Sequence, residues 1–210
     1  MKKVIAIVLS FIGIIVLFSG YNKNVQAEET QENMSSKIIR FHVLANSDSE
    51  DDQALKIKVR DKVLEYIAPK LKESKSKDQS RNILISEEEN VRNICLKVIR
   101  DNGYDYDVDI QLNKQNFPVK TYGNIVLPQG EYEAYRILIG NGEGQNWWCV
   151  MFPPLCFVDI SKGEPAYEEN EKNMKEVLDD DEYNLVDGTK KEEEVTFGFK
   201  IVEIIKSLFS

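Results

Sequence analysis

Residues 37–45 (KIIRFHVLA) alternate as a strand does. Ile39, Phe41 and Val43 share one side, while Arg40 and His42 share the other with Ile38 and Leu44. The next residues, 46–52 (NSDSEDD), are rich in helix-capping side chains and negative charge, both of which favour a helix N-terminus. Leu55, Val59, Val63, Ile67 and Leu71 then recur every four residues. That stripe predicts a helix over 50–71, with Lys56, Lys58, Arg60 and Lys62 standing off it and Pro69 ending or kinking its last turn. A charged connection over 73–80 follows. Ser86-Glu87-Glu88-Glu89 matches the S-x-x-E capping box and predicts a second helix running to Asp101. Val91, Ile94, Cys95 and Val98 give it a buried side, and Gly103 is placed to be its left-handed terminating residue.

Beyond Gly103 the period changes to two. Tyr104, Tyr106, Val108, Ile110 and Leu112 alternate with polar residues, predicting a half-buried strand over 104–112 and a turn over 113–118. Two further strands, 119–127 and 131–139, are expected to form a hairpin through Pro128-Gln129-Gly130. A glycine-rich loop leads into a last strand over 147–152. Residues 162–194 carry charge of mainly one sign, with 13 acids and 4 lysines from Gly163 to Glu194. That composition reads as a mobile, solvated segment with a short helix over 168–178. Apolar residues return at Val195 and predict a short strand and a terminal helix docked on the core. The resulting expectation is an α+β fold: a mostly antiparallel sheet with two N-terminal helices and a C-terminal helix packed on it.

The start of the chain decides where such a domain works. Met1-Lys2-Lys3 is basic, 4–18 is apolar, and Val25-Gln26-Ala27 fits a small-residue cleavage site. This is the order of a secretory signal peptide, 1–27, or of an uncleaved anchor. Its apolar helix would span about 23 Å, short of a bilayer core of about 30 Å. Residues 28–36 read as a linker and 37–210 as one domain outside the cytoplasm. Removing the leader takes three lysines and leaves 24 basic against 36 acidic side chains, a net of −12. That charge argues against nucleic acid and against an anionic membrane surface.

Candidate chemistry is sparse. His42 is the single histidine, so a cysteine–histidine nucleophile would have to pair it with Cys149 or Cys156. A disulfide between Cys149 and Cys156 is the blander use of those thiols. Free buried thiols, or a bridge involving Cys95, remain alternatives. No metal-ligand spacing, phosphate loop or nucleophile elbow is present, and no cofactor is implied. Paired carboxylates for a wall hydrolase cannot be singled out among so many acids. What stands apart is NWWCVMFPPLCF (146–157), apolar on both faces of its strand: either a core strand covered on both sides, or one face kept for a partner. The residues expected to meet a partner are Trp147, Trp148 and Phe152, then Arg40 and His42.

Three stretches, IRFHVLANSDSEDDQALKIKVRDKVL (39–64), YGNIVLPQGEYEAYRILIGNGEGQ (122–145) and NWWCVMFPPLCFVD (146–159), resemble stage II sporulation protein R. The resemblance implies a signalling protein of endospore-forming bacteria, without catalytic residues of its own. It is made in the forespore and exported to the space between forespore and mother cell. There it would trigger a membrane-embedded aspartic protease of the mother-cell membrane, which processes the sigma-E precursor. The competing expectation is an extracytoplasmic wall or thiol-dependent hydrolase acting in sporulation.

Overall fold

A computed structural model describes residues 27–155 and 167–189. The leader, Cys156, and the terminal strand and helix expected from Val195 onward lie outside the described residues. The stretch expected as a linker is helical over 27–36 (α1). Met34 anchors it, fully buried, and Gln31 Nε2 donates to Gln129 O at 2.6 Å. Lys77 Nζ donates to Ser36 O at 2.6 Å, so tertiary contacts hold a segment whose sequence shows no periodicity.

The chain then runs β1 (Ile39–Leu44), α2 (Glu50–Lys72), α3 (Lys77–Ser86), α4 (Glu88–Asp101), β2 (Val108–Phe117), β3 (Lys120–Tyr122), β4 (Ile125–Leu127), β5 (Gly130–Ile139) and β6 (Asn146–Phe152). Two short helices follow, α5 (Tyr167–Lys175) and α6 (Asp180–Val186). The fold is α+β. A four-stranded sheet has the order β2-β5-β1-β6, in which β1 runs parallel to β5 and the other pairings are antiparallel.

The α2 stripe lands as its spacing requires: Leu55, Val59, Val63, Ile67 and Leu71 are buried, and Ser49 caps the helix by accepting from Asp52 N. Val91, Cys95 and Ile99 are the buried line of α4. Together these helices cover one face of the sheet, where Phe41, Val43, Tyr135 and Ile137 are buried.

Four local expectations are corrected. First, α3 occupies part of the supposed connection. Its cap is Ser76, which accepts from Gln79 N, and three helices therefore lie between β1 and β2. Second, the capping box at Ser86 does not form. Ser86 Oγ donates back to Ile83 O, and Glu87 begins α4 without a side-chain cap. Third, β2 starts at Val108 and runs through the supposed turn to Phe117. It is an edge strand, so its outer half tolerates Asn113, Lys114 and Asn116 in water. Tyr104 and Tyr106 stack on each other ahead of it, ring centroids 5.2 Å apart. Fourth, residues 119–127 break at Gly123, whose φ of 64° suits glycine. They form a separate hairpin, β3-β4, while β5 pairs with β2 and β1 rather than with β4.

The described part of the acidic segment is helical in two places. Met174 and Val186 are fully buried, and α6 carries a complete capping box between Asp179 and Glu182. Its end is tied to the β3-β4 hairpin by a bridge between Ile125 and Asp187, and Glu182, buried, meets Lys37 Nζ at 2.5 Å. The acids thus cap helices and pair with Lys37 as well as facing solvent.

The β1–α2 and β5–β6 loops interlock at the C-terminal end of β1. Asn46 Oδ1 accepts from Asn141 N at 3.0 Å, Asp48 Oδ1 from Gln145 N at 2.7 Å, and Ala45 O from Gly144 N at 2.9 Å. Asp52 accepts from Asn46 Nδ2 at 2.9 Å and Ser47 Oγ at 2.6 Å. The NSDSEDD stretch is therefore a clasp that sets where β6 begins. A Cβ on Gly144 would lie 2.2 Å from Ser47 O, which is backbone and cannot swing aside. Gly144→Ala is expected to lower the unfolding free energy by about 1–3 kcal/mol, read by denaturant titration.

Candidate functional site

The second face of the sheet carries the unusual side chains. Antiparallel pairing sets Arg40 opposite Val150 and His42 opposite Trp148, while parallel pairing sets Arg40 beside Ala134 and His42 beside Arg136. Gln111 lies across from Arg136 on β2. Trp148 stacks on His42, centroids 4.8 Å apart at 17°, and meets Phe117 edge-on at 4.9 Å. From β3, Lys120 Nζ sits 5.5 Å above the Trp148 ring. Trp148 remains half-buried, so part of a rigidly held indole stays exposed.

Beside it the layer is polar, with His42 buried and Arg136 and Gln111 half-buried. Arg136 Nε donates to His42 Nε2 at 2.7 Å, and its Nη1 donates to Gln111 Oε1 at 2.7 Å. His42 must then carry its proton on Nδ1, which has no hydrogen-bond partner among the described residues. Burial, and after it the charges of Arg136 and Arg40, push the His42 pKa down from 6.5 to about 3. His42 is thus a neutral hydrogen-bond acceptor at neutral pH and a poor general base.

Arg40 is fully buried. Its guanidinium lies 4.4 Å from the Phe117 ring centroid, 4.9 Å from that of Tyr132 and 5.7 Å from that of Tyr122. Nη2 donates to Tyr122 Oη at 3.1 Å, while Nε and Nη1 have no hydrogen-bond partner among the described residues. Three ring faces offset part of the cost of taking this cation out of water.

Of the five residues expected to meet a partner, the structure brings Arg40, His42 and Trp148 together on this face. Trp147 is half-buried on the opposite face, edge-on to Phe41 at 5.8 Å and under the Arg60 guanidinium at 4.7 Å. Phe152 is buried opposite Ile39, where the register shifts. Arg40, His42 and Phe152 can act only by positioning what lies above them. Phe117, Lys120, Tyr122, Tyr132 and Arg136 complete the site and were not anticipated. The alternation of GEYEAYRILI, which gives Tyr132 and Arg136 the same parity, was the signal available for two of them.

The two cysteines among the described residues are arranged against nucleophilic use with His42. Cys149 is disulfide-bonded and pairs with Phe41, on the helix-covered face, away from His42. Cys95 is a free, buried thiol whose pKa burial pushes up to about 12. Pro153 and Pro154 form the turn after β6, closed by Leu155 N donating to Val150 O at 3.3 Å. No group of three or more metal-ligating side chains gathers among the described residues.

These features describe an α+β domain that presents an aromatic, cation-rimmed sheet face. The family model for stage II sporulation protein R matches residues 35–162, which contain every strand of this face. The chain is 36% identical to the stage II sporulation protein R of Bacillus subtilis (strain 168) over 227 aligned positions covering the full length of both. No solved structure matches it. The chain belongs to the stage II sporulation protein R family, and its role is in sporulation.

Proposed function

We propose that this chain is an exported, non-enzymatic signal that activates a membrane-embedded aspartic protease of the mother-cell membrane, leading to processing of the sigma-E precursor. The observation that carries the reading is Trp148: a half-exposed indole held flat on His42, braced by Phe117 and flanked by Lys120. Exposed aromatics on a rigid platform are the usual anchors of protein interfaces. The disulfide on Cys149 suits an oxidising, extracytoplasmic compartment. A binding signal acts by preferring one receptor state. Moving a receptor from mostly inactive to mostly active needs about 5.5 kcal/mol of differential affinity. Anchors worth about 2 kcal/mol each bring that within reach of a small aromatic face.

The test uses purified mature protein and membranes that hold only the receptor and its precursor substrate. Processing is expected without wall material, rising with the amount of protein until the receptor is saturated. Processing that requires wall fragments, or turnover of those fragments by the protein, would favour the hydrolase reading instead.

A further inference from the structure

Lys37, Arg60, Lys70, Arg81 and Lys114 each lie within ion-pair distance of a carboxylate. Around Trp148 the pattern inverts. Arg40, Arg136 and Lys120 converge there, and none makes an ion pair among the described residues. Asp109, on the same strand as Gln111, is exposed; it accepts from Gln111 Nε2 at 2.5 Å and acts on Arg136 only through space. Arg40 is fully buried, and two of its nitrogens have no hydrogen-bond partner among the described residues, so its charge is weakly screened and adds to the positive potential above it. A chain with 36 acids and a net charge of −9 thus keeps a local cationic field at the half-buried indole of Trp148.

Building on the proposed activation, we infer that the face formed by Trp148, Lys120 and Arg136 docks an acidic segment of the receptor polypeptide, carboxylates against the rim and an apolar side chain on the indole. Charge complementarity selects the occupant. An anionic bilayer would meet the whole negative domain, whereas a peptide carboxylate meets only this face. Arg136 is already fixed by His42 and Gln111, so little side-chain freedom is lost when it binds.

The probe is a synthetic peptide of aspartates around one phenylalanine, with a lysine counterpart as control. The full mature chain carries Trp147→Phe, which leaves Trp148 as its single tryptophan. Trp148 fluorescence is expected to respond saturably to the acidic peptide alone and to lose that response with salt. Lys120→Glu, with its melting temperature unchanged, is expected to weaken binding about tenfold, the scale of one charge-assisted contact. An equal response to the lysine peptide, or none to either, overturns the proposal. So does a stronger response to phosphatidylglycerol vesicles, which would assign the face to lipid. A shift of Trp148 fluorescence with salt in the absence of peptide would assign the face to this chain's own acidic stretch and equally overturn it. If Lys120→Glu still triggers full processing in receptor membranes, the docking face falls while activation stands. If the peptide binds as expected but wild-type protein never triggers processing, activation falls and the chemistry of the face stands.

Discussion

Between pH 7 and pH 5 the folded domain is expected to lose about 2 kcal/mol of stability, and His42→Gln is expected to remove most of that loss. The cause is a histidine that folding forbids to protonate. Its pKa falls from 6.5 to about 3, through burial first and then the charges of Arg136 and Arg40. Below pH 6.5 the unfolded chain takes up a proton at His42 that the folded chain refuses until about pH 3. The unfolded state therefore binds more protons, so this contribution is complete above the unfolded value and is lost as the pH falls through that window. The limiting slope is about 1.4 kcal/mol per pH unit.

Other groups facing the ring do not blur the reading. The charged side chains around the ring are Arg136, Arg40 and Lys120, and no carboxylate is in contact with it among the described residues. Asp52 and Glu133 are also held below the usual carboxylate range, by hydrogen bonds and ion pairs that outweigh their burial. Their stabilisation is lost only as the pH drops below about 4. Glutamine keeps an acceptor for Arg136 Nε and has no proton to gain. Urea titrations at pH 7, 6 and 5 check the point: the wild-type midpoint should fall with pH and that of His42→Gln should stay nearly level. Parallel slopes would move the acid sensitivity to another group.

The parts of the fold that the sequence makes legible are those where burial is one-sided and local. The α2 stripe is read correctly because five residues at a fixed spacing are all buried. The α3 helix is not, because only Ser80 and Leu84 of its ten residues are buried, too few to set a period. The Ser86 box fails for a related reason: the motif is present, but α3 already holds Ser86 as its last residue, and the hydroxyl returns to its own helix. For β3 and β4, one apolar-rich run conceals a reversal at Gly123 that only a left-handed backbone angle reveals.

The site divides along the same line. That 146–152 is unusual is evident from composition, and Arg40 and His42 share a side by simple parity. What the alternation cannot supply is the parallel pairing of β1 with β5, which brings Arg136 to His42 across 94 residues. Nor does it supply the separate hairpin that lays Lys120 over Trp148. The same long-range pairing makes His42 a buried acceptor, although as a lone histidine it invites a catalytic reading.

Replacing each tryptophan in turn separates position from function. Trp148→Ala is expected to abolish precursor processing in receptor membranes, and Trp147→Ala to leave processing per folded molecule near wild type. Both indoles are half-buried and both meet an aromatic ring, so each truncation removes apolar contact and is expected to cost about 2–4 kcal/mol of stability, less than full burial would give. Stability alone therefore predicts similar damage from the two. The difference lies in what covers them. Trp147 lies on the helix side with the Arg60 guanidinium over its ring, so its contacts are already made within the domain. Trp148 lies on the side where Arg40, Arg136 and Lys120 make no ion pair within 4 Å among the described residues, with Lys120 beside it. Denaturant midpoints and processing assays run on the same preparations, below the melting temperature of either variant, give the comparison. Trp148→Phe should recover part of the activity, because a flat ring can still stack on His42. Equal loss of processing from both truncations, tracking their stabilities, would make the tryptophan block a core element and would leave the contact face to be found elsewhere on the domain.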